Sequence, residues 1–280
     1  MFKVMVTGSA GFIGHAVEQE LMSRDMIMVS FDAPLDITRA VDVYNSVKSV
    51  DAVINLAGML GTSEMFDYEA RAAEVNIVGA LHVMDACHQR GIPMVQIAAG
   101  HEGQPNPYAI TKKCITDLAL ARGYWRKQKI SVVRAYHAYG PGQKMCQPHG
   151  KGKVRKIVPS FVARALTGMD VEINGDGKQE VDLVYVDDVA KALVDAIHEG
   201  YGLVAEAGTG VATTVLDAAK TIIDRCGSTS KIVHIPMRDG EIGGTRVVAS
   251  KPVCPHVWSY KLEETIKFYR ENLEIKASWD

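Results

Sequence analysis

The sequence predicts an α/β protein, a doubly wound parallel sheet with a smaller lobe following it, and three observations carry that prediction. Short apolar or β-branched runs alternate with longer segments of helical period, a glycine-rich turn follows the first run directly, and the texture changes after Tyr139-Gly140-Pro141-Gly142. Strands are expected at 3–6, 27–31, 52–56, 94–97 and 131–134. Between them, Phe12, Ile13, Ala16, Val17 and Leu21 fall on one helical face, as do Val75, Val78, Leu81 and Ala86 on another. Beyond the texture change come a Gly- and Lys-rich loop, a helix at 159–167 and a turn at Asn174-Gly175-Asp176-Gly177. Residues 1–150 form the first unit, with a return segment near 183–205, and 151–280 form most of the second.

Composition narrows the function. The chain has 280 residues, 31 Lys+Arg against 33 Asp+Glu, and 47% apolar residues. A net charge of −2 offers no general field for nucleic acid or anionic lipid, so any anion must be met by a local cluster. Five scattered cysteines without a Cys-x-x-Cys pair point to reduced thiols in a cytoplasmic setting. Cys146 and His149 stand at a ligand-like spacing, but no second pair accompanies them and no metal is expected. The opening Met1-Phe2-Lys3-Val4 enters a strand pattern at once, so neither a signal peptide nor a membrane span is expected.

Gly8-Ser9-Ala10-Gly11-Phe12-Ile13-Gly14 lies between a strand and a helix, the setting a dinucleotide-binding loop requires. Glycines there allow a tight turn and let backbone approach a pyrophosphate, which rests on N–H groups at the positive helix end. Asp32 closes the second strand, where a carboxylate accepts hydrogen bonds from an adenosine ribose and repels a 2′-phosphate; the cofactor read from this is NAD. Asp36-Ile37 follows too soon for another helix and strand, so one strand-helix unit is missing from the sheet.

The glycine spacing is joined by Asn55-Leu56-Ala57-Gly58, Tyr108-Ala109-Ile110-Thr111-Lys112, Arg134-Ala135-Tyr136-His137-Ala138-Tyr139-Gly140-Pro141-Gly142-Gln143, Gly175-Asp176-Gly177-Lys178-Gln179 and Val184-Tyr185-Val186-Asp187-Asp188-Val189. Together these resemble the extended short-chain dehydrogenase/reductase family, the nucleotide-sugar epimerases and dehydratases, over nearly the whole chain. The resemblance implies a Rossmann domain binding NAD through the glycine loop (Gly8, Ala10, Gly11, Phe12, Ile13, Gly14), Asp32, Asp36, Ile37, Leu56, Ala57, Gly58, Tyr108 and Lys112. It also implies a lobe that binds a nucleotide diphosphate sugar, and a homodimer built on helices at about 74–90 and 108–127. The short link from Asp32 to Asp36 is more similar to the nucleotide-sugar reductases.

Tyr108 and Lys112 are four apart and share a helix face. An ammonium beside a phenol favours phenolate, which can take a proton from a sugar hydroxyl as hydride leaves its carbon. The family's Ser or Thr before this helix is absent from Ile97-Ala98-Ala99-Gly100-His101-Glu102, its phosphate-binding Arg is Val181, and its Asn ahead of the Tyr-Gly-Pro turn is His137. Glu102 matches the base of similar dehydratases, and Lys156 the basic partner in related epimerases. His101 is placed to replace the lost hydroxyl. Lys151, Lys153, Arg155 and Lys156, with Arg238, form the charge expected to meet phosphate. With His137 and Val158, these are the candidate substrate residues.

The expected function is therefore an NAD-dependent nucleotide-sugar epimerase/dehydratase acting through a transient 4-keto sugar, with Tyr108, Lys112, Glu102 and Lys156 as its chemical residues. A 4-keto-sugar nucleotide reductase and a catalytically weak dinucleotide-binding regulatory protein are the alternatives.

Overall fold

The structure is a computed structural model that describes residues 1–146, 149–150, 154–199 and 202–277. The first half builds β1 (Lys3–Thr7), α1 (Phe12–Ser23), β2 (Ile27–Phe31), α2 (Ala40–Val47), β3 (Ala52–Asn55), α3 (Glu69–Ala73), α4 (Ala80–Arg90), β4 (Met94–Ala99), α5 (Pro107–Arg126), β5 (Ile130–Ala135) and β6 (His137–Tyr139). The remainder adds α6 (Ile157–Leu166), β7 (Val171–Asn174), β8 (Glu180–Val181), β9 (Leu183–Tyr185), α7 (Val186–Asp195), β10 (Val204–Ala207), β11 (Thr213–Thr214), α8 (Val215–Arg225), β12 (Ile232–Ile235), β13 (Arg246–Val247) and α9 (Leu262–Ala277).

Six strands pair in the order β10-β5-β4-β3-β1-β2, every pairing parallel. The chain leaves β1 for β2 on one side and returns to β3 on the other, so the strand order reverses at β1 and opens a crevice beyond the strand ends. A single helix, α2, separates β2 from β3 and leaves β2 at the sheet edge, as the short Asp32–Asp36 link requires. The sixth strand comes from the second half: α7 packs on α1 through Val189 and Leu193 against Val17 and Leu21, and β10 then pairs with β5.

A second core lies around Tyr139, Phe161, Ile173, Leu183, Ile222 and Tyr269. The short pairs β7–β12 and β6–β9 and the trio β11-β8-β13 surround it. Among the described residues no helix is long and apolar enough to cross a membrane.

The helical face expected from Val75, Val78, Leu81 and Ala86 is only partly realised. Ala86 is buried, but Val78 is 43% exposed, and the face that α4 buries is Ala80, Val83, Met84, Ala86 and Cys87. Glu74–Gly79 winds as a π-turn, which takes up an extra residue and rotates the preceding side chains relative to α4.

Candidate active site

The glycine loop is a cradle that side chains would fill. Gly8 adopts φ 68° and donates its N–H to Phe31 O at 3.0 Å. A Cβ on Gly14 would stand 2.3 Å from Ser9 O, and one on Gly8 3.1 Å from Ala57 N across the crevice. Gly11 caps α1 without a side-chain bond, and no acidic residue occupies the first turn, so nothing on the chain neutralises the positive helix end. Asp32 accepts the Ala10 N–H at 2.9 Å and the Ala33 N–H at 3.0 Å, which fixes its carboxylate at the lip of the loop.

The opposite lip is fixed by Thr7. Its hydroxyl donates to Asn55 Oδ1 and accepts the N–H groups of Leu56 and Ala57, both at 3.1 Å. Asp36 is held by its own turn, accepting from Thr38, and by Arg71 at 3.4 Å. These bonds hold its carboxyl below the ordinary range, with the Thr38 backbone N–H the largest cause. Ile37 is buried in the core against Gly79.

Helix α5 presents the Tyr-Lys pair. Asn106 caps it, accepting the Ala109 N–H at 2.9 Å, and Pro107 occupies the first turn, where its missing N–H costs nothing. Lys112 is 4% exposed, and its ammonium faces Gly58, where a Cβ would stand 3.0 Å from both Nζ and Asn76 Oδ1. Burial lowers Lys112 to about 8, opposed by the Glu102 charge. Burial and then Glu102 push Tyr108 up to about 12. The chain's own charges therefore do not deliver the depressed phenol expected from the spacing; desolvation outweighs the neighbouring ammonium.

His101 lies over Tyr108 with ring centroids 5.3 Å apart, and His137 stacks on His101 at 6.0 Å. Burial, helped by Lys156, lowers His101 to about 4, and burial with His101 and Lys156 lowers His137 to about 3. Both rings are thus neutral near pH 7. Lys156 stands at the N-cap of α6, lowered by burial and by Arg238 and held up by Glu64. His101, His137, Lys156, Arg238 and Tyr108 therefore converge, although 137 residues separate His101 from Arg238 in the chain.

Three expected residues are placed otherwise. Glu102 accepts from Thr116 Oγ1 through one oxygen and pairs with Arg134 at 3.1 Å through the other, so the expected base is turned behind the Tyr-Lys pair. Arg155 is drawn out of the phosphate cluster by Glu172 at 2.9 Å, a carboxylate it shares with Arg164. The Val158 side chain is 2% exposed within the second core, so only its backbone N–H, in the first turn of α6, faces outward chemistry. Lys151 and Lys153 lie outside the described residues. Cys146 and His149 turn to separate partners, Ser160 and Thr167.

The sequence reading passed over Asn76 and Glu64. Asn76 is 2% exposed and binds Met59 N–H at 2.7 Å and Thr111 Oγ1 at 3.1 Å, holding the strand-end loop beside Lys112. An Asn inside the apolar run Val75-Asn76-Ile77-Val78 was the available signal. Glu64 sits on a 3₁₀ turn whose three-residue period gives no amphipathic pattern to read.

A cradle for pyrophosphate, with a buried phenol and ammonium at its mouth, defines a class: enzymes that use a nicotinamide dinucleotide on a hydroxyl-bearing carbon. The profile of the NAD dependent epimerase/dehydratase family matches residues 4–204, and the chain belongs to that family. It is 26% identical to the UDP-N-acetyl-alpha-D-glucosaminuronate decarboxylase of Bacillus cytotoxicus, over 96% of this chain and 98% of that one. Identity with the dTDP-glucose 4,6-dehydratase of an Actinoplanes species is 29%, over 90% of this chain and 76% of the relative. The fold is similar to the UDP-glucose 4-epimerase of Thermotoga maritima bound to UDP-glucose, with a TM-score of 0.85, 24% identity, and 97% and 100% of the two chains covered.

Proposed function

We propose that the chain acts as an epimerase or dehydratase on a nucleotide diphosphate sugar, through a transient 4-keto sugar. The observation that carries this reading is the buried Tyr108–Lys112 pair under the neutral His101 ring, at the mouth of the glycine cradle. NAD, held by the glycine loop, Asp32 and the N–H end of α1, supplies hydride acceptance and return.

The Tyr108 oxygen takes the proton of the sugar hydroxyl as its carbon is oxidised and returns it on reduction. Lys112 holds a positive charge beside that oxygen and favours its anionic form. His101, neutral, donates an N–H to the reacting oxygen in the role of the absent hydroxyl. Lys156, Arg238 and the first-turn N–H groups of α6 meet the diphosphate.

The single helix between β2 and β3 favours a second reading, a 4-keto-sugar reductase; a GDP-6-deoxy-D-mannose reductase of Pseudomonas aeruginosa is 24% identical over 95% of this chain. We further assign a cytoplasmic homodimer formed through α4 and α5, whose outward residues include Ile110 and Trp125, 58% and 78% exposed.

A panel of nucleotide sugars with NAD, followed by cofactor absorbance and product mass, tests the assignment. An epimerase or dehydratase converts substrate with no net NADH, whereas a reductase consumes NADH one for one. Tyr108→Phe should retain NAD binding and lose about 10²–10⁴-fold in turnover. Normal turnover in that variant would overturn the reading.

A further inference from the structure

The wall facing Tyr108 holds three buried polar atoms that the chemistry above leaves unpaired. Glu64 Oε2, Arg238 Nε and His137 Nδ1 have no hydrogen-bond partner among the described residues. Buried polar atoms left in this way are costly, so three lining one cleft point to a ligand rather than to chance.

Their grouping is built by the chain. Ser63 Oγ donates to Asp239 O at 2.8 Å and Asn106 Nδ2 to Gly240 O at 2.9 Å, which clamps the Arg238 loop onto the Glu64 turn and the start of α5. Gly61 leaves room for the carboxylate, since a Cβ there would stand 2.7 Å from Glu64 Oε2. Lys156 is near enough to feel both Glu64 and Arg238, yet among the described residues Glu64 forms no ion pair, and Arg238 is paired with Glu241.

We propose that Glu64 is the sugar-reading residue of the cleft, accepting a hydrogen bond from a ring hydroxyl, so that the site takes a neutral hexose nucleotide and rejects the corresponding uronate. This rests on the nucleotide-sugar reading above. A carboxylate accepts but cannot donate, so the buried oxygen of Glu64 is satisfied by a hydroxyl and not by a second carboxylate. Charge points the same way. The cleft's described cations, Lys156 and Arg238, are opposed by Glu64 and Glu241, and a diphosphate brings two further negative charges. A uronate would add another in a cleft with no described cation left for it, and like charges held together are a strong source of rejection.

The test is calorimetric titration of the NAD-loaded protein with UDP-glucose against UDP-glucuronate and GDP-mannose against GDP-mannuronate, pairs that differ only at the oxidised carbon. In the native protein the neutral member of at least one pair should bind more tightly by about tenfold or more, or about 1.4 kcal/mol. Glu64→Gln, nearly isosteric and uncharged, should bring that ratio within about threefold, mainly by improved uronate binding. The native discrimination stands as evidence whether or not the variant folds. Equal or tighter uronate binding by the native protein would overturn the inference and leave the nucleotide-sugar reading intact, as would an unchanged ratio in a folded Gln variant. If no nucleotide sugar binds, the broader reading fails and this inference with it.

Discussion

The Tyr136 ring lies so close to Gly100 that a Cβ at position 100 would stand 2.6 Å from its Cδ1. The hydroxyl residue that similar enzymes carry at the end of β4 is therefore excluded here by packing, and the neutral His101–His137 stack occupies the adjoining space. Gly100→Ser should not improve turnover and should destabilise by about 1–3 kcal/mol, the usual cost of overpacking. Gly100→Ser combined with Tyr136→Leu should recover part of that loss, and the coupling is read from denaturant unfolding of the four members of the cycle. Additive effects would show that the ring is not the obstacle.

Lys112 is placed at a cost to the fold. A lysine whose folded pKa is lowered to about 8 opposes folding most below that pH, and the penalty fades as pH rises from 8 towards the ordinary 10.5. Lys112→Met should therefore be inactive and yet more stable at pH 7, by on the order of 1–3 kcal/mol, with the gain shrinking by pH 10. Thermal unfolding of both proteins across pH 6 to 10, a range of about four units around that pKa, measures it. A variant less stable at pH 7 would mean that the ammonium is stabilised by the fold.

Much of this was legible in the chain because it is local. The run Lys3–Thr7, the glycines through Gly14 and the Tyr108–Lys112 spacing each express a short-range rule of strand, turn or helix, and all three occur where those rules put them. What escaped depends on contacts between distant segments. The reorientation of Glu102 needs Arg134 on β5 and Thr116 on α5, and the loss of Arg155 from the cleft needs Glu172 on β7. Neither pairing has a sequence period. The Tyr108 pKa was misjudged for a related reason: a neighbouring charge shows in the spacing, whereas burial is a property of the packed site.

The proposed dimer has its own test. Ile110 on α5 is 58% exposed, while its neighbours Ala109 and Thr111 are buried, so the helix sets a bulky apolar side chain outward with no partner on its own chain to cover it. Ile110→Glu would place a charge in the centre of an α4–α5 contact, where desolvation makes it costly. The native protein should sediment as a dimer and the variant as a folded monomer. A native monomer at micromolar concentration would remove this interface.

Glu102 decides between two chemistries. Its position in the sequence suggests a base that removes a proton beside the ketone, but its oxygens are held by Thr116 and Arg134, and Thr116 in turn bonds the Lys112 carbonyl at 2.9 Å. From there its negative charge acts on the pair in front of it, raising both Tyr108 and Lys112. Removing the charge should ease ionisation of the phenol, so Glu102→Gln should keep turnover within about tenfold and move the pH–rate profile to lower pH. A general base would behave differently. Its Gln variant would lose turnover and would stop placing solvent deuterium beside the carbonyl carbon when the reaction runs in heavy water. Mass spectrometry of product formed in heavy water separates the two. Undiminished deuterium content per turnover, together with an acid-shifted profile, is the expected result; loss of exchange in the Gln variant would return Glu102 to the reacting carbon.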